Sequence, residues 1–264
     1  MYLLQPHPWN KLAESINVRL KVFCASMADV FEDRADLQPH RDALWKMIDK
    51  TPMLDWLLLS KRPVIGMPEA WSDETDESAM RGRGSLGSSP AMPRNIWLGH
   101  TIVNNEEILK EWPPFLESII KYSPTVAFLS IEPMLGPMPD LKLIDEGIKQ
   151  FNGQFWVICG GESGNKARPM HPQWVKDIQL ACMEAGIPFF FKQWGEWAPA
   201  GMPGYNFPIS KMAYVDIDGK ILEFGTGHSI SMFKVGKGKS GRMLNDRHYN
   251  DMPVRRMSNG TIIT

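Results

Sequence analysis

The chain has 264 residues, 43% hydrophobic and 22% charged, with a net charge of −1. That composition belongs to a folded globular protein, speaks against disorder, and gives no overall attraction to nucleic acid or acidic membranes. No apolar stretch approaches the roughly eighteen residues of a membrane span, and the opening MYLLQPHPWNK lacks the basic start and apolar middle of a signal peptide, so a cytoplasmic protein without membrane partners is expected.

In chain order, six short apolar runs are strand-sized: KVFCASM from Lys21, DWLLLSK from Asp55, NIWLGHT from Asn95, TVAFLSIE from Thr125, FWVICGGE from Phe155 and IPFFFKQW from Ile187. Helical spacing marks residues 41–50, with Leu44, Met47 and Ile48 on one side. It recurs in residues 106–122, with Leu116, Ile119 and Ile120, and in residues 172–185, with Val175, Ile178 and Cys182. Pro172 suits a first helical turn and Gly186 a C-terminal cap. Strand and helix alternate, which predicts an α/β fold: a partial (βα) barrel of mainly parallel strands spanning residues 1–197. Residues 66–94 turn acidic, then basic, then rich in Gly, Ser and Pro, and read as a short helix with a solvated excursion.

From Ala198 the pattern changes. MAYVDIDGKILEF has strand-turn-strand form with its turn at Asp218-Gly219, so residues 198–264 are expected to form a C-terminal β-hairpin appendage and a basic tail packed on the barrel. The ending FKVGKGKSGRMLNDRHYNDMPVRR, whose first and last cations are Lys234 and Arg256, carries seven Lys or Arg against two Asp. Its spacing is not that of a Walker A loop, and a nucleic-acid contact stands beside a merely solvated tail. The three cysteines, Cys24, Cys159 and Cys182, are far apart in sequence and form no C-x-x-C pair. Each lies in an apolar run, as buried reduced thiols do, and metal ligands are not expected.

The strand ends carry the chemistry. Five of the six runs change from apolar to ionisable residues where the strand stops, and in a parallel sheet these ends share one rim. Asp29, Lys61, Arg62, His100, Glu132, Glu162 and Lys192 are thereby expected at a mixed-charge pocket for a small polar ligand, with Gly160, Gly161, Ser163, Arg168, Gln193 and Trp194 beside them. Alternation along TVAFLSIE sets Val126, Phe128, Ser130 and Glu132 on one face and Ala127, Leu129 and Ile131 on the other. The all-apolar face should meet helices, so Glu132 should point inward, paired with Lys61, Arg62 or Lys192. The Gly160-Gly161 pair lets backbone approach a ligand closely or take positive φ, with Glu162 as a polar handle. Lys166, Arg168 and His171 downstream are candidates for an anionic group, although a lone histidine next to proline, as His171 is, more often caps a helix or lies at the surface.

Taken together, KVFCASMADVFED, LLLSKRP, NIWLGHTI, FLSIEPMLGP, WVICGGESGNKARPMHPQWV, AGIPFFFKQWGEW and GKSGRMLNDRHYNDMP, in this order, resemble the phage-associated gp-thirty-seven/sixty-eight family, a domain of unknown function related to radical S-adenosylmethionine barrels. The resemblance runs from about Lys21 to Pro253. It implies a radical-SAM/TIM-like barrel with an S-adenosylmethionine-type site at its C-terminal rim; of the strand-end residues, Glu132, Glu162 and Lys192 are the candidates for catalysis. The family carries three closely spaced cysteines ahead of the part matched here, as ligands of an iron-sulfur cluster. No such set precedes Cys24, so a cluster is not expected in this chain, and a truncated or degenerate member is implied. A missing first strand would leave an open edge at the Lys21 strand, to be covered by residues 1–20 or by a partner chain completing the barrel. Two other readings compete: a non-catalytic nucleic-acid or partner-binding protein, and a glycoside hydrolase using Glu132 and Glu162 with Trp194 and Trp197 as sugar platforms.

Overall fold

The computed structural model of the chain describes residues 6–24, 29–68, 71, 92–202, 211–256 and 262–263. Its centre is a six-stranded sheet in the order β1-β2-β3-β4-β5-β6, parallel throughout and curled into a half-barrel. The strands are β1 (Leu20–Cys24), β2 (Leu54–Ser60), β3 (Ile96–Thr101), β4 (Val126–Ile131), β5 (Gln154–Gly160) and β6 (Phe189–Gln193). Each coincides with one predicted run, β1, β2 and β5 beginning one residue earlier. Helix α1 (Pro6–Ile16) precedes β1. Helix α2 (Gln38–Asp49) then joins β1 to β2, α3 (Asn105–Tyr122) joins β3 to β4, α4 (Leu141–Ile148) joins β4 to β5 and α5 (Pro172–Glu184) joins β5 to β6. Helix α4 has only two turns, too few for its period to emerge from the sequence. The short helix expected within residues 66–94 falls mostly outside the described residues, as does the end of the first strand-like run, residues 25–28.

Local signals set the helix ends. Asn104 caps α3 by accepting from the Glu107 N–H at 2.9 Å, and the Glu107 carboxylate accepts from the Val103 N–H at 2.8 Å, so two otherwise unpaired donors are satisfied reciprocally. His171 caps α5, its Nδ1 accepting from the Gln173 N–H at 3.1 Å ahead of Pro172, and Gly186 takes a positive φ just beyond.

Alternation along the strands divides the core in two. Ile96, Leu98, Ala127, Leu129, Ile131, Val157 and Cys159 face the helices and pack with Ile108, Trp112, Phe115, Ile119, Val175 and Ile178. On the inner face, Leu57, Trp97, Val126, Phe128, Trp156 and Ile158 form a separate cluster that fills the half-barrel. Glycine at position 99 is required here, because a Cβ would collide with the Phe128 ring, which lies against the β3 backbone.

The chain then adds a second, antiparallel sheet in the order β7-β10-β8-β9, from β7 (Trp197–Pro199), β8 (Met212–Asp216), β9 (Ile221–Leu222) and β10 (Ser229–Lys234). The predicted hairpin is β8–β9, with Gly219 at positive φ in its turn. Strand β10, not evident in the sequence, lies between β7 and β8. After the short helix α6 (Lys237–Ser240), residues 249–251 return to β6: the Phe191 N–H donates to Tyr249 O at 3.1 Å and the Asp251 N–H to Phe189 O at 3.2 Å. The Trp156 indole reaches Asp251 O at 2.9 Å, so the ending also lies against the inner face. Two further two-residue strands, β11 (Arg255–Arg256) and β12 (Ile262–Ile263), pair with each other. No helix among the described residues is long and apolar enough to cross a membrane.

A methyl group at position 99 must displace a fully buried ring. Gly99→Ala is therefore expected to lower unfolding free energy by about 1–3 kcal/mol, the usual cost of overpacking, which chemical denaturation followed by tryptophan fluorescence would measure. An unchanged midpoint would contradict this packing.

Candidate functional site at the strand C-terminal ends

The rim divides into two groups and a bracing loop. At the ends of β1 and β2, Asp29 accepts from the Ser60 hydroxyl at 2.8 Å and from the Phe31 N–H at 2.9 Å. Arg62 stands 3.6 Å from the same carboxylate and 3.9 Å from Glu32, and the Lys61 side chain is exposed. Ser60, which the sequence reading did not single out, is the hinge of this group, since its oxygen also accepts from the Arg62 N–H at 2.8 Å. Buried Arg41 ties the preceding loop to α2 by donating to Val30 O and Glu32 O.

At the ends of β4, β5 and β6 the inward turn expected of Glu132 is found. Its Oε2 pairs with Lys192 Nζ at 2.9 Å, which selects Lys192 from the three candidate partners. Its Oε1 is buried without a hydrogen-bond partner among the described residues. That oxygen lies against Gly160, where any Cβ would collide with it. A buried carboxylate oxygen lacking a donor is costly, and such atoms in a fold call for an explanation.

The two glycines act differently from expectation. Neither has positive φ, and what Gly161 admits closely is the backbone of Trp194, not a ligand. The loop after β5 is tied to the loop after β6 by the Glu196 N–H donating to Glu162 O at 2.8 Å, by the Gly164 N–H donating to Glu196 Oε1 at 3.1 Å, and by the Gln193 amide donating to Ser163 Oγ at 3.2 Å. Glu196 was missed in the sequence because nothing separates it from a surface acid until the two loops are seen side by side.

Glu162 is held by Arg168, whose backbone N–H, Nε and Nη2 all donate to its carboxylate at 2.7–2.8 Å. Those hydrogen bonds hold its pKa below the usual carboxylate range. With both oxygens occupied, Glu162 braces the loop and is withdrawn from the carboxylate pair that glycoside hydrolysis would need. Trp197 is likewise engaged: its indole donates to Ala167 O at 2.7 Å and Lys234 lies over its ring.

Two expected rim residues lie elsewhere. His100 shares the helix-facing side of β3 with Ile96 and Leu98, is 3% exposed, and stacks on Phe115 of α3. Burial lowers its pKa to about 4 despite Glu111 at 3.9 Å. Trp194 is also buried on the helix side, edge-on to Phe191, with its indole donating to Met243 O at 2.8 Å. A register shift between Cys159 and Gly160, where β6 inserts an extra residue, turns it away from the inner face. His171 caps α5 rather than facing an anion.

The cysteines do not fit an iron-sulfur cluster. Cys24 lies on β1, four strands from Cys159 on β5, and Cys182 lies on α5, so the three do not gather round one site; burial raises Cys24 to about 11 and Cys182 to about 12, and raises Cys159 as well. Among the described residues no group of three or more His, Cys, Asp or Glu could hold a metal ion. Within the basic ending, Arg242 stacks on Phe190 and Arg247 on Tyr249, so these cations are used in packing.

A family model described as "Protein of unknown function (DUF5131)" matches residues 2–253. The chain belongs to this family. No curated protein and no solved structure matches it. For this DUF5131 member, position in the sheet therefore carries the assignment: the group Glu132, Lys192, Gly160, Gln193 and Ser163 occupies the C-terminal ends of the strands, where βα folds bind their ligands.

His100 provides a check on the geometry. A histidine held neutral with its pKa moved from 6.5 to about 4 contributes stability that is complete above the unfolded value and is lost as pH falls through that window, where the unfolded chain binds a proton and the folded chain does not. The expected loss is about 3 kcal/mol between pH 6.5 and 4. His100→Gln should flatten that part of the stability profile, measured by urea unfolding across the range.

Proposed function

We propose that this protein is a phage-type, radical-S-adenosylmethionine-like half-barrel that binds a small polar ligand of the S-adenosylmethionine kind at its C-terminal rim, without cluster ligands of its own. The observation that carries the reading is the unpartnered, buried oxygen of Glu132 at the end of β4, with Lys192 on its other oxygen. A carboxylate so placed suits an ammonium or hydroxyl of the ligand, and a half-exposed lysine beside it suits a carboxylate or phosphate. Ser163 and Gln193 would add neutral hydrogen bonds from the adjoining loops. S-adenosylmethionine carries both kinds of group, and when bound it would supply a sulfonium with activated carbon–sulfur bonds. The ordered sequence motifs support that ligand class, whereas the separation of Cys24 on β1 from Cys159 on β5 argues against cluster chemistry through these thiols.

Calorimetric titration with S-adenosylmethionine tests this. Saturable heat is expected from the native chain. Glu132→Ala should weaken binding at least about tenfold, the value of one charge-assisted hydrogen bond, and Gly160→Ala should act the same way by displacing the carboxylate. Silence at millimolar ligand, or equal binding by all three proteins with unchanged thermal melts, would refute the assignment.

A further inference from the structure

The two edges of the half-barrel are treated differently. The β6 edge is paired by residues 249–251, whereas β1 pairs only with β2 and has no strand on its other side among the described residues. The Leu20 N–H donates to Met53 O at 3.2 Å, toward β2. Alternation of backbone direction then sends the N–H and C=O groups of Lys21 and Phe23 outward. Helix α1, which packs against β1 and β2, leaves an apolar set uncovered. Helix α1 buries Pro6, Asn10 and Ala13 while its Trp9, Leu12 and Ile16, on one stripe, are 39%, 51% and 49% exposed. Val18, just ahead of the strand, and Phe23, within it, are 39% and 46% exposed.

We infer that this edge is the interface of a two-fold dimer in which β1 pairs antiparallel with β1 of a second copy, centred on Val22. The register follows from the outward groups. Centring on Val22 sets Lys21 opposite Phe23 of the other copy, and these two residues exchange both backbone hydrogen bonds, at two symmetric places. Leu20 falls opposite Cys24, and Val22 opposite its own equivalent. A lysine on an exposed edge ordinarily discourages pairing. Here that penalty is relieved, because the Lys21 ammonium is turned into the half-barrel, 5.5 Å over the Trp97 ring of its own chain, and the register sets it opposite Phe23 rather than another lysine.

The area is adequate. Five large apolar residues exposed to this extent present roughly 400 Å² per copy, hence roughly 800 Å² in a pair before the paired backbones are counted, near the threshold of about 1,000 Å² for a specific interface. The pairing would join two half-barrels into one twelve-stranded sheet, leaving both rims open to solvent.

Sedimentation velocity of the intact chain at tens of micromolar should give a species of about twice 30.0 kDa. Lys21→Pro removes an outward donor without touching the β2 ladder, and it should yield a monomer with an unchanged far-ultraviolet spectrum. Leu12→Lys, at an exposed helix position, should weaken the dimer at least about tenfold, as burying a lone charge requires. Val22→Cys in a Cys24→Ala background should cross-link on mild oxidation. The facing Cα atoms of such a pair lie about 4.5 Å apart, within the disulfide range. A monomeric native chain at that concentration would overturn the inference, as would a dimer indifferent to both Lys21→Pro and Leu12→Lys.

Discussion

The Phe128 ring pressed on the Gly99 backbone determines the inside of this molecule. It brings β3 and β4 together where a side chain at position 99 would force them apart, and with Trp97 and Trp156 it fills the space that a wider barrel would leave for solvent. A solid interior confines any ligand to the rim. It also fixes the direction of the residues that follow on β4: with Phe128 inward, Ser130 and then Glu132 must follow on the same side. The unpartnered carboxylate at the rim is thus a consequence of how an aromatic residue two turns of the pleat away is packed.

Much of the fold is legible because the strands are continuous apolar runs and parallel sheets bury both faces. The helices are less so. In α1 the apolar stripe of Trp9, Leu12 and Ile16 faces solvent while Asn10 is buried, its side-chain oxygen accepting from the Met53 N–H at 2.8 Å, so the pattern points the opposite way from the packing. Strand β10 (SISMFK) carries serine at alternate places and is stabilised by pairing with β7 and β8 on either side, which local patterns do not reveal.

At the site the same alternation rule succeeds for Glu132 and explains the departure of His100. Both end apolar runs with an ionisable group, but Glu132 is in step with Phe128, whereas His100 is in step with Leu98 and faces α3. Trp194 departs for another reason: the extra residue in β6 breaks the period at the strand's end, and irregularities of that kind are created by pairing rather than by composition. Glu162 shows the remaining limit. Its charge and place suggest a ligand contact, yet Arg168, six residues on, takes both oxygens, and only the folded loop brings the two together.

The pairing of residues 249–251 with β6 also bears on synthesis. The last strand of the half-barrel emerges from the ribosome roughly fifty residues before the segment that covers its edge. Throughout that interval the β6 edge of the sheet has nothing to pair with, a state prone to association with other chains. The intervening segment is tied to α5 by the Trp174 indole, which donates to Ile217 O in the β8–β9 turn. Completion of the C-terminal segment therefore closes the β6 edge and leaves β1 as the open side of the sheet.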